Sequence, residues 1–143
     1  MKILRIKLVW VVFPFVWVFL FGCSEGWGAD WKYFGSNDFG DAFYDSKSIT
    51  RPSRNIVRVW RYISFTEKYK KSCVEKFGKT IENMSYSIDL AEINCKDKVM
   101  SLVSTTLYSK EGKVVGVEGH SKSPLFPIVP TSIDDLLYKE VCK

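Results

Sequence analysis

The chain has 143 residues with 21 Lys+Arg, 16 Asp+Glu, four Cys and one His. That length carries one domain, and a lone histidine excludes most catalytic triads and histidine-based metal centres. A formal charge of +5 is small for a nucleic-acid footprint, which shows a concentrated basic stripe and a pI well above about 9, so no nucleic-acid partner is expected.

The chain opens with Lys2, Arg5 and Lys7 and no acid, followed by an uncharged run from Leu8 to Gly22. Its length suits the apolar core of a secretory signal and falls short of the roughly 20 residues that span a bilayer as a helix. A permanent N-terminal anchor is the competing reading, if the segment is counted from Ile3. The signal has two candidate ends. Leu20-Phe21-Gly22-Cys23 resembles a lipobox, which would make residues 1–22 a lipoprotein signal and Cys23 a lipidated anchor. Two acyl chains would then hold the product to a leaflet, its only membrane attachment. Alternatively, cleavage within the small residues Ser24 to Ala29 makes 1–29 the signal and 30–143 the domain. Without 1–29 the net charge falls to about +3.

Trp31 to Gly35 reads as a first strand, Asn37 to Asp41 as a turn, and Ala42 to Asp45 as a second strand. Thr50-Arg51-Pro52-Ser53 reads as another turn. The strongest strand is Asn55 to Thr66, placing Val57, Val59, Ile63 and Phe65 on one face and Arg58, Trp60, Tyr62 and Ser64 on the other. Glu67 to Lys79 is charged and reads as loop with a short helix. A fourth strand alternates Tyr86, Ile88 and Leu90 with Ser85, Ser87 and Asp89 and continues to Cys95. Lys96-Asp97-Lys98 turns the chain into Val99 to Tyr108, and Lys110 to Lys113 turns it into Val114 to Val117. The short connections favour an antiparallel meander. Pro124, Pro127 and Pro130 forbid regular structure, and then Ser132 caps a helix. Asp134 and Asp135 suit that helix's positive end and Lys139 its negative end. Ile133, Leu136, Leu137 and Val141 make an apolar stripe that must dock on the sheet. The expected fold is α+β: about six antiparallel strands with a C-terminal helix packed on one face.

With Cys23 assigned to the signal or the anchor, three cysteines remain in an oxidising compartment, most simply one pair and one leftover. Cys95 ends a strand and Cys142 is penultimate, so a bridge between them would staple the tail to the sheet. Cys73, among lysines, would then be a free thiol, a second lipid or dimer site, or unused.

The bases bunch as Arg51, Arg54, Arg58 and Arg61, then as Lys68, Lys70, Lys71, Lys76 and Lys79. Such a series is either a solvated face or a patch for sulfated glycans, lipid headgroups or an acidic protein. Where Trp60 and Tyr62 are exposed beside Arg58 and Arg61, the combination is one through which proteins bind. Arg54, Arg58, Trp60, Arg61, Tyr62, Lys68, Lys70 and Lys71 are therefore the candidate binding residues.

Chemistry is harder to find. His120 reads as an exposed loop residue, and Cys73 has no base or oxyanion context to make it a nucleophile. Asp38, Asp41 and Asp45 lack calcium-loop spacing, and no phosphate-cradling glycine motif occurs. No enzyme activity, cofactor or metal is expected.

Several local patterns coincide with one family. Asp30-Trp-Lys-Tyr-Phe-Gly35, Phe43-Tyr44-Asp45, Ser48-Ile49 and Ile56-Val-Arg-Val-Trp60 resemble the N-terminal half of the surface-adhesin protein E domain of bacterial envelopes. Tyr86 to Cys95, Gly112-Lys-Val-Val115, Ser123-Pro124, Pro130-Thr-Ser132 and Val141-Cys142 resemble its C-terminal half. The family's usual Trp after Ser-Pro is replaced here by Leu125-Phe126-Pro127, and Cys73 is extra. The resemblance implies six antiparallel strands, a helix tethered across the concave side by a Cys95–Cys142 bridge, and a surface-displayed module that binds host matrix proteins such as vitronectin and laminin. The partner is then an extracellular or envelope protein or an anionic surface. The alternative is an envelope accessory lipoprotein with no host ligand, pairing with a second copy as a homodimer.

Overall fold

The computed structural model describes residues 28–119 and 124–143. The expected signal as far as residue 27, with Cys23, and His120 lie outside the described residues. Six strands follow one another across the sheet: β1 (Trp31–Ser36), β2 (Gly40–Asp45), β4 (Ile56–Phe65), β5 (Met84–Asn94), β6 (Val99–Ser109) and β7 (Val114–Gly119), each antiparallel to its neighbour. Two short strands complete it: β3 (Thr50–Ser53) pairs with the start of β4, and β8 (Phe126–Pro127) with the start of β6. The expected α+β meander is therefore the observed fold.

Three local expectations are corrected. The Thr50–Ser53 segment is a strand rather than a turn alone, because β2 covers only the far half of β4 and leaves the Ile56–Arg58 edge open for it. The proline-rich stretch contributes β8, since Pro127 occupies an edge where a missing N–H costs no central ladder bond. Glu67–Phe77 is an eleven-residue helix, α1. Thr66 caps it, its hydroxyl accepting from the Tyr69 N–H at 3.2 Å, and Tyr69, Cys73 and Phe77 recur at four-residue spacing along one side.

Helix α2 (Ile133–Val141) starts where the sequence places it, with the Ser132 hydroxyl accepting from the Asp135 N–H at 3.2 Å. Its Leu137 and Val141 enter a buried cluster with Tyr44, Val57, Val59, Ala91, Ile93, Met100 and Ile128. Gly35 lets it approach β1, for a Cβ there would meet Leu136 Cδ1 at 2.7 Å. The far end of α2 is fixed three times. Arg51 Nη2 donates to the Val141 carbonyl at 2.9 Å, the Tyr138 hydroxyl donates to the Cys95 carbonyl at 3.1 Å, and a Cys95–Cys142 disulfide joins Cα atoms 5.6 Å apart. That span is ordinary for a cystine, so the tail is held without moving the backbone. At the other end Gly40, at φ +156°, crosses so closely that a Cβ would lie 1.6 Å from the Ser64 carbonyl oxygen. Only glycine fits there.

Candidate functional site

Alternation along each strand gives the sheet two unlike faces. One carries α2 and α1. The other carries neither helix and displays rings. Cross-strand register places Tyr33 opposite Phe43, Phe43 opposite Tyr62, and Tyr86 opposite Tyr108. Their ring centroids are separated by 5.5 Å, 5.7 Å and 5.0 Å, and a 5.0 Å contact between Tyr62 and Tyr86 joins the two halves. Trp31 packs on Tyr62 at 5.8 Å. The result is one aromatic belt running from β1 to β6, with edge-on and tilted pairs in its β1–β4 half.

The exposed rings of this face are Tyr33 at 58%, Trp31 at 39% and Trp60 at 38% of full accessibility. Trp60 sits one residue pair from the belt on β4. Arg58 flanks it, and its Nε donates to Glu92 Oε2 at 2.6 Å. The face is thus more aromatic than basic, because its arginine is already paired across the strand.

The candidate binding residues do not form a single patch. Arg58, Trp60 and Tyr62 share the open face. Arg54 lies exposed in the β3–β4 turn. Lys68 and Lys71 are exposed on α1, on the other side of the sheet, and Lys70 pairs with Glu67 one helical turn back. Arg61 is the clear correction. Odd-numbered β4 residues face the helices, so Arg61 points away from Trp60 and is only 6% exposed. Its Nη2 lies 3.3 Å from Asp89 Oδ2, and its Nη1 lies 3.0 Å from Asp134 Oδ1 at the start of α2. It fastens β4 to β5 and to the helix. Burial pushes the Asp89 carboxyl above its ordinary value, opposed by Arg61 and by the Ser87 and Thr105 hydroxyls.

A second feature lies on this helix-bearing face. Tyr69, Cys73 and Phe77 of α1 stand over Ile63, Phe65, Leu102 and Leu107, leaving a cleft of about 440 Å³. Arg61, Ser87, Asp89 and Thr105 supply its polar floor. Cys73 is a buried free thiol in the cleft wall. Burial, followed by the neighbouring Cys73, pushes the Tyr69 hydroxyl up to about 12. The sequence carried one unused signal for the cleft, the four-residue spacing of Tyr69, Cys73 and Phe77. The belt's signal was register, which a single strand does not reveal.

Among the described residues, no three His, Cys, Asp or Glu side chains gather to hold a metal, and no helix is long and apolar enough to cross a membrane.

Residues 31–143 match the family described as surface-adhesin protein E. Protein E from non-typeable Haemophilus influenzae has a similar crystal structure, with a TM-score of 0.54 at 13% identity over 82% of this chain and 78% of that one. Another structure of Haemophilus influenzae protein E gives 0.50 at 14% identity, covering 80% and 88%. No curated protein matches the sequence significantly. The likeness to these structures is one of overall fold, and the family match extends over residues 31–143: the chain belongs to the surface-adhesin protein E family.

Proposed function

We propose that this domain is an exported envelope module that captures a protein partner through the open aromatic face of its sheet. The observation that carries the reading is the continuous belt of rings, with Tyr33, Trp31 and Trp60 exposed at one side. Tyrosine and tryptophan provide large, stiff contact area and hydrogen-bonding tips at little entropic cost, and they dominate protein-binding hot spots. The rings are already held in place by one another, so little ordering remains to be done on binding. Export would rest on residues 1–29 as signal, or on 1–22 with Cys23 lipidated. Intact mass of the native protein distinguishes these.

Membership of an adhesin family makes extracellular matrix proteins the first partners to test. Immobilised vitronectin and laminin should retain the domain, and Trp60→Ala with Tyr33→Ala should lower capture at least tenfold while leaving the thermal midpoint within about 2 °C, as surface substitutions do. Retention unchanged by both substitutions would remove the belt as the site.

A further inference from the structure

We propose that the cleft beneath α1 binds a small apolar molecule bearing a neutral head group that both donates and accepts a hydrogen bond, of the alcohol or amide class. This site lies on the face opposite the aromatic belt and is independent of partner capture there.

The volume of about 440 Å³ falls within the range of small-molecule sites. Its walls are mainly apolar, Tyr69 and Phe77 from the helix and Ile63, Phe65, Leu102 and Leu107 from the sheet, with Glu118 also in the lining. A helix and a sheet face with this lining ordinarily close on each other to native packing density. Here they stand apart.

The floor says which head group fits. Arg61 and Asp89 are directly opposed residues of β4 and β5, 6% and 3% exposed. Their mutual contact uses Arg61 Nη2 and Asp89 Oδ2. Arg61 Nε and Asp89 Oδ1 are buried with no hydrogen-bond partner among the described residues. Unsatisfied buried polar atoms are costly, and here a donor and an acceptor come from adjacent positions. One group able to accept from Nε–H and donate to Oδ1 would satisfy both. A carboxylate head would meet Asp89, and an ammonium head would meet Arg61. Arg61 is also held by Asp134, and Glu118 joins the lining, so the preference rests on the Nε–H and Oδ1 pair. A carboxylate cannot donate to Oδ1 and an ammonium cannot accept from Nε–H, whereas a neutral alcohol or amide can do both.

The test uses the purified native protein and the apolar dye N-phenyl-1-naphthylamine, followed by fluorescence. Saturable uptake is expected, and 1-decanol should displace the dye at concentrations at least tenfold lower than decanoate or decylammonium. Leu107→Trp, which fills the cleft, and Phe77→Ala, which removes its exposed wall, should each weaken uptake at least tenfold. Circular-dichroism melting shows which variants are folded, and Phe77, at 64% exposure, can be replaced without opening the core. Failure of saturable uptake, wild-type uptake by the folded variants, or equal displacement by a charged-head competitor would overturn the proposal. Capture through Trp60 and Tyr33 would be unaffected by any of these results.

Discussion

Replacing Arg61 by methionine tests the electrostatic centre of the fold. The guanidinium sits between two carboxylates, 3.3 Å from Asp89 and 3.0 Å from Asp134, and the Arg61 and Asp89 side chains are 7% and 4% exposed. Removing the cation strands Asp89 in the interior, and breaking such a buried pair costs about 3–5 kcal/mol. For a domain of this size that is a fall of roughly 10–20 °C in melting temperature. The loss should depend on pH with a fixed sign. Asp89 has its carboxyl raised by burial, so its contribution is favourable below the ordinary carboxylate value and is lost as pH rises through the raised one. Without Arg61 opposing that shift, the deficit of the variant should be largest near neutrality and shrink on acidification, as Asp89 takes up a proton. Urea denaturation followed by circular dichroism at pH 7.5 and 4.5, wild type beside variant, measures it. The double replacement Arg61→Met with Asp89→Leu should recover most of the stability, because no charge is then left buried. A single-variant deficit below about 1 kcal/mol, or one equal at both pH values, would refute this account of Arg61.

Opening the Cys95–Cys142 bridge frees a loop with a sequence separation of 47, and the chain-entropy model puts the loss at about 4 kcal/mol, readable as a shift in urea midpoint on adding reductant. Leu137→Ala empties a fully buried position in the α2 cluster and should cost about 2–5 kcal/mol in the same assay. Gly40→Ala cannot be accommodated beside the Ser64 carbonyl, so it should prevent β2 from pairing with β4 and yield little folded protein on expression. In a spectrophotometric titration of the tyrosines, Tyr69 should ionise late, at about 12, and Tyr69→Phe should remove that late step.

The sequence was most legible where a local rule agreed with the tertiary outcome. Ser132 capping α2, the turn at Lys96-Asp97-Lys98 and the strands β4 to β7 are readable from alternation and turn chemistry. The family's pattern added the Cys95–Cys142 bridge, which spacing alone left open. What escaped were features decided by distant chain. Arg61 looked like a member of a surface basic cluster because its partners Asp89 and Asp134 are 28 and 73 positions away. Its odd-numbered position puts it on the Val57 face, where an arginine is tolerated only with that compensation. In β5, the apolar series Tyr86, Ile88 and Leu90 faces away from the helices, whereas Ser87 and Asp89 are buried. Polarity therefore misreports the inward face at this point. The α1 segment looked like loop with only a short helix because its lysines mask the stripe of Tyr69, Cys73 and Phe77.

The disulfide and the two hydrogen bonds that fix the far end of α2 lie together at one end of the sheet, where Arg51, Cys95, Tyr138 and Cys142 meet. Among the described residues, no disulfide reaches α1 at the opposite end. The molecule is therefore graded along its strands, from a base clamped by a disulfide to an upper storey without one among the described residues. Backbone amides near Ile93 and Leu137 should exchange with solvent only through global unfolding, whereas those of α1 should open separately and sooner. A guest entering beneath that helix would have a way in that leaves the base closed.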